Sequence, residues 1–310
     1  MRNTFKPGFY DFSATATFEH AEERFDAYYF VEDSIPDIIN EYTELTGSPA
    51  LLPKFAFYLG HLDCFNGTHN GHGDERTLMV DGMNYLNRYV DNDMPLGWFA
   101  PNDGYSCGYG GVDNLEEFAD AAKEKNVKTA LWTESTLEPD PSLPEDDPLR
   151  RDLDAEVKAG TRGIKTDVAW VGPGYSMALD AQRLAAEGIE KVENSGGARP
   201  FVVSLNGWAG TQRYAGLWSG DQYGGNWEYI RMHIPTYIGA GLSGNPNIGS
   251  DMDGIFGGDA VIQTRDFQWK AFTPLQLDMD GWASSGDDYT HEKNPWNYGE
   301  PYASINRMYL

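Results

Sequence analysis

The chain has 310 residues, of which 40% are hydrophobic and 14% aromatic, so it can bury a large core and is not a disordered polymer. Its net charge of −25, from 23 basic and 48 acidic side chains, excludes nucleic acid and anionic membranes as partners, since both need a basic footprint. A neutral polyhydroxyl substrate is compatible with that charge. The two cysteines, Cys64 and Cys107, make neither a disulfide scaffold nor a thiolate zinc site; two unlinked thiols are expected, although both follow neighbouring strands and one bridge would be within reach. No apolar run is long enough to span a bilayer, and the first residues lack the apolar stretch of a signal peptide, which leaves secreted and cytoplasmic locations both open.

Residues 14–20 and 25–32 read as strands, so residues 1–34 are expected to be the end of a β-sandwich. A linking helix follows over 35–47, stopped by Gly47, and Pro53 leads into the next unit. From residue 54 to residue 310 short β-rich runs alternate with helical patterns. Strands are expected at 55–63, 95–101, 127–134, 163–171, 200–208, 215–222, 245–254 and 278–282. Helices are expected at 78–90, 114–126 (with Asp113 and Glu116 as a capping box), 147–160, 175–192, 226–240 interrupted by Pro235, and 265–277. The connection between the fifth and sixth strands is too short for a helix, and the chain stops inside what should be the eighth helix, so a fragment with flanking β-domains is expected. Eight strands alternating with helices imply a (β/α)8 barrel, an α/β TIM barrel.

In such barrels the active site lies at the C-terminal ends of the strands. Asp63, Asp103, Glu134, Asp167, Asp221, Asp251 and Asp253 all fall there, as do Trp132, Trp170, Trp208, Trp218 and Trp282. A carboxylate-rich mouth lined with indoles suits carbohydrate, because aromatic faces stack on sugar rings and carboxylates bind hydroxyls. Cleaving a glycosidic bond needs two carboxyl groups. Alternation puts Lys165 and Asp167 on one inward face, where the ammonium keeps the carboxylate ionised; a structural Lys–Asp pair would have the same spacing. Asp221 sits in a turn rich in glycine (Gly220, Gly224, Gly225), and Arg213 eight positions earlier is placed to orient a carboxylate near it.

The segment RYAGLWSGDQ, residues 213–222, resembles the signature of glycoside hydrolase family 31. The resemblance extends over most of the chain, through PNDGY, GSDMDGIFGG, NPWNYGE and the passage YYFVEDSIPDIINEYTELTGSPALLPKFAF. It implies a retaining α-glycosidase or transglycosylase with Asp221 as acid/base and Asp167 as nucleophile. It further implies Asp103 and Asp251 as sugar contacts. The substrate set expected from position and resemblance is thus Asp103, Trp132, Lys165, Trp170, Trp208, Arg213, Trp218, Asp251 and Trp282. Neither cofactor nor metal is expected; His69 and His72 lie in a Gly/Asn-rich stretch that reads as a solvated loop.

The sequence departs from the family's α-glucosidases in three places. Val168, Ala169 and Trp170 follow the nucleophile in place of Met-Asn-Glu, Leu205 replaces an arginine, and Asp280 and Trp282 fall near the place of a pocket histidine. The segments KTDVAWVG, NDGY and SLNGWAGTQRYAG are closer to the branch with isomaltosyltransferases that form cyclic α-glucans. A retaining α-galactosidase, whose barrels also carry Lys-x-Asp on a fourth strand, and a carbohydrate-binding barrel without catalysis are the alternatives.

Overall fold

The computed structural model describes residues 26–63, 83–104, 114–133, 137, 140–144, 150–167, 177–192, 199–280 and 293–310. Cys64, Cys107, Asp113, Glu134, Trp170, Trp282, His69, His72 and His291 lie outside them.

Eight parallel strands form one sheet: β1 (Gly60–Leu62), β2 (Trp98–Ala100), β3 (Lys128–Thr133), β4 (Thr161–Thr166), β5 (Val202–Ser204), β6 (Gly216–Trp218), β7 (Ile248–Gly249) and β8 (Leu277–Met279). The spatial order is β7-β6-β5-β4-β3-β2-β1-β8, with β1 paired to both β2 and β8. A single bridge between Asp251 and Leu277 links the β7 side to the β8 side, so the sheet curls into a nearly closed (β/α)8 barrel. Around it lie α1 (Ile35–Thr46), α2 (Met83–Asp91), α3 (Leu115–Glu124), α4 (Leu153–Lys158), α5 (Met177–Lys191), α6 (Trp227–Leu242), α7 (Ala260–Lys270) and α8 (Tyr302–Tyr309). Between β5 and β6 there is only a 3₁₀ turn at Thr211–Arg213, as the short connection required.

Side-chain alternation divides the sheet into two cores. Leu62, Trp98, Ala100, Ala130, Phe201, Val203, Trp218, Leu277 and Met279 fill the barrel interior. Phe99, Leu131, Ile164 and Val202 face the helices and pack on Leu86, Phe118, Ala185 and Ile189. The inward position Gly163 has no room for a larger residue: a Cβ there would lie 2.6 Å from the Phe201 ring. Local signals set the helix ends. Ser34, Asp152, Asn226 and Asp259 each accept a backbone N–H at the start of a helix, and Gly47, at φ 95°, ends α1.

Several boundaries differ from the sequence expectation. The first half of 55–63 is a 3₁₀ turn, Lys54–Phe57, because Phe55 and Ala56 plug the floor of the barrel instead of pairing as a strand. Helix α6 runs through Pro235 without a break. Helix α7 starts five residues before the expected position and ends at Lys270, since Asp259 caps it and Leu275 and Leu277 are drawn into the barrel interior. Residues 26–32, within the run expected at 25–32, form no strand.

Candidate active site

The site grows from β4. Alternation along that strand sends Lys165 and Asp167 inward at its C-terminal end, both buried. The Lys165 ammonium lies 2.8 Å from Asp103 Oδ1 and 3.5 Å from Asp167 Oδ2, and 4.1 Å from the centre of the Trp218 ring. Asp103 is brought in from β2, its backbone N–H bonded to the Asp63 carbonyl. Burial alone would lower the affinity of Lys165 for its proton, but the charges of Asp103 and Asp167 outweigh it and raise it. Burial pushes the Asp103 carboxyl up, against the opposing pull of Lys165.

Two indoles hold carboxylates. Trp132 Nε1 donates to Asp167 Oδ2 at 2.9 Å, and Trp218 Nε1 donates to Asp251 Oδ1 at 2.9 Å. Both rings are almost wholly buried, at 2% and 4% exposure. They were expected as stacking platforms for a sugar. A ring with so little free surface offers no open face, so in this structure they act through their N–H groups. The backbone of Trp132 is itself fixed by Asn102, whose side-chain amide accepts from Trp132 N at 2.8 Å and donates to Trp132 O at 3.0 Å. Arg151, paired with Glu156, also donates to that carbonyl. Asn102 was not singled out from sequence, although it directly precedes Asp103.

Asp251 follows β7 and is fully enclosed, and its Oδ2 has no hydrogen-bond partner. Burial pushes its carboxyl up to about 7, with Lys165 and Lys270 opposing. Asp221 lies at an exposed position on the turn after β6. The surrounding walls remove enough water to raise its carboxyl; Lys165 opposes that shift and the charge of Asp167 adds to it. Lys165 thus feels the charges of Asp103, Asp167 and Asp251, and its own charge acts on Asp221.

The glycines beside Asp221 serve a different contact from the one expected. A Cβ on Gly224 would fall 1.6 Å from the Asp253 carbonyl oxygen, so the turn packs on the loop after β7. Asp253 organises both, accepting from Gly225 N and from Asp259 N. Beside Asp221, the exposed Tyr223 ring packs 5.1 Å from Phe256, an aromatic pair that the sequence reading passed over. Trp208 is 43% exposed on the β5–β6 connection. Arg213 is not with this group. It precedes β6, at the N-terminal end of the barrel, where its chain fills the space beside Gly47 and its guanidinium lies over Tyr214. The adjacent Gln212 ties the same turn to Thr46 and Gly47, so Arg213 belongs to the docking of α1.

Residues 175–310 match the model of the glycosyl hydrolases family 31 TIM-barrel domain. Over that stretch, a little under half of its length, the chain is similar to glycoside hydrolase family 31. Among the relatives, the glucosidase 2 subunit alpha of Schizosaccharomyces pombe is 35% identical over 116 residues, which is 37% of this chain and 12% of that protein. Alpha-glucosidase 2 of Bacillus thermoamyloliquefaciens is 34% identical over 125 residues, 40% of this chain and 15% of that protein. The matched part is thus a small share of the curated relatives' length. The likeness in fold extends over nearly all of the chain. A cycloalternan-degrading enzyme from Trueperella pyogenes, solved with isomaltose, superposes on 89% of this chain and 50% of its own, with a TM-score of 0.68 at 17% identity. A family 31 alpha-glucosidase from Bacteroides thetaiotaomicron covers 90% of this chain and 54% of its own, with a TM-score of 0.67 at 18% identity.

Proposed function

We propose that this family 31 barrel is the catalytic unit of a retaining enzyme that cleaves or transfers α-glucosidic linkages. The observation that carries the reading is the contrast between its two mouth carboxyls. Asp167 is gripped by the Trp132 N–H and lies beside the Lys165 ammonium, as a nucleophile needs. Asp221 reaches solvent and has a raised affinity for its proton, as a general acid needs.

In the first step Asp167 attacks the anomeric carbon while Asp221 protonates the departing glycosidic oxygen. A covalent glycosyl ester forms on Asp167 and the leaving sugar departs with the proton. In the second step Asp221, now a carboxylate, takes a proton from the incoming water or sugar hydroxyl, which displaces Asp167 and regenerates the acid. Asp103 and Lys165, at the end of β2 and β4, are placed to bind the hydroxyls of the sugar being transferred. Trp208, Tyr223 and Trp227 keep exposed faces for an acceptor sugar, which favours transfer alongside hydrolysis. The finer placement, in the branch that handles isomaltosyl units and cyclic α-glucans, rests on the segments around Asp103, Asp167 and Trp208.

The test is product analysis of the chain on maltose, isomaltose, longer α-glucans and α-galactosides, with Asp167→Ala and Asp221→Ala beside it. Each variant should lose about 100-fold or more. Azide should rescue Asp167→Gly with inverted product. Activity retained in both alanine variants sinks the assignment.

A further inference from the structure

Asp221 stands on a turn that cannot hold its own shape. Gly220 and Gly225 both adopt left-handed backbone, at φ 85° and 70°, and glycine gives a chain its widest conformational freedom. The Asp221 side chain is exposed on that turn. A general acid must nevertheless sit within hydrogen-bond reach of the oxygen it protonates, and a misplacement of about 1 Å can cost on the order of 100-fold. The fixing group has to come from outside the turn.

Asp253, on the loop after β7, supplies it. The residue is fully buried, and its φ of 58° lies in a region that residues with a Cβ seldom adopt and that persists only where the surroundings impose it. With that backbone, both its carboxylate and its carbonyl meet the turn that carries Asp221. Oδ1 accepts from Gly225 N at 2.5 Å. Oδ2 accepts from the backbone N–H of Asp259, the residue that caps α7, at 3.0 Å. Hydrogen bonds to an ionised carboxylate are the strong kind, so the turn and the start of α7 are joined through one side chain.

The backbone contacts repeat the pattern. A Cβ on Gly224 or on Gly257 would lie 1.6 Å from the Asp253 carbonyl oxygen, so two loops close on that one atom, to which Lys293 Nζ also donates at 3.1 Å. The carbonyl of Gln222, the residue directly after Asp221, accepts from Phe256 N at 3.3 Å. A Cβ on Gly254 would lie 2.5 Å from the same Gln222 oxygen. Residues 222, 224 and 225 are therefore each fastened to the segment 253–256.

We propose that Asp253 is a positioning residue for the general acid: through Gly224 and Gly225 it holds the Asp221 carboxyl against the departing glycosidic oxygen, and it takes no part in the attack on the anomeric carbon. This rests on Asp221 being the acid/base, as proposed above. A clip that merely kept two loops folded would affect every substrate alike. A misplaced acid slows only the departure of groups that need a proton.

The test compares kcat/KM on an α-glucosyl fluoride, whose fluoride leaves with little protonation, and on a disaccharide, whose sugar does not. Asp253→Asn keeps the size and tolerates left-handed backbone, but offers one acceptor oxygen to two N–H groups. Asp253→Gly suits the backbone with no acceptor at all, and serves as the second variant should the first fail to fold. Each should lose about 10- to 100-fold on the disaccharide and less than about threefold on the fluoride, with circular dichroism confirming the fold. Asp221→Ala should show the same contrast more strongly. Equal losses on both substrates, or no loss on the disaccharide, in a folded Asp253 variant overturns the proposal. If Asp221→Ala itself shows no contrast, the acid/base assignment falls instead, and the failure is traced to Asp221 and not to Asp253.

Discussion

The indole N–H of Trp132 is 2.9 Å from Asp167 Oδ2, and that contact makes a strand-end tryptophan part of the setting of the proposed nucleophile. Its backbone is fixed on both sides by Asn102, so the donor's position is set by β2 and β3 together. Trp132→Phe keeps most of the ring and removes the donor. It is expected to lower kcat by about 10- to 100-fold with little change in KM, because a hydrogen bond to a charged group contributes about 1.5–3 kcal/mol. Steady-state kinetics on an aryl α-glucoside measures this; an equal rise in KM at constant kcat would show that the ring only binds substrate.

Lys165 is a single ammonium shared by Asp103 and Asp167. Lys165→Met leaves those carboxylates enclosed without their partner, and breaking one side of a buried pair costs about 3–5 kcal/mol. The variant should unfold at markedly lower urea concentration, and activity should fall with it. If Asp103→Asn is added to Lys165→Met, part of the stability should return. A double variant no more stable than Lys165→Met would show that Asp103 does not depend on that charge.

Asp251 makes folding stability depend on pH. Its carboxyl rises from an ordinary 3.8 to about 7 in the folded chain. The folded state therefore holds a proton that the unfolded chain releases between those values. The stabilisation from this group is fully present below about pH 4 and is lost as pH rises toward 7. Asp251→Asn should flatten that part of the Tm–pH curve and raise Tm near pH 8. Parallel curves for the two proteins would refute the shift.

The barrel was legible in the sequence because β-rich runs and helical periods alternate, and each of those runs contributes a strand to the sheet. Their lengths were harder to judge. Phe55 and Ala56 are as apolar as strand residues, but they close the floor of the barrel. The carboxylates of the site could be found because position at a strand's C-terminal end is itself a signal. The roles of Trp132 and Trp218 could not, since composition does not say whether an indole meets its site by its face or by its N–H. Arg213 and Asp221 are only eight residues apart, but β6 runs between them and separates the two ends of the barrel. Sequence distance says little about space across a strand.

At the mouth of the barrel the Lys165 ammonium acts on four carboxyls, those of Asp103, Asp167, Asp221 and Asp251. Such a pocket is poorly matched to a neutral sugar and better matched to the positive charge that develops on the sugar ring as the glycosidic bond breaks. The same electrostatics recruit molecules that carry that charge at rest. Protonated iminosugars, and amine buffers with several hydroxyl groups, should compete with substrate above the ionisation range of these carboxyls and release as the pocket is acidified.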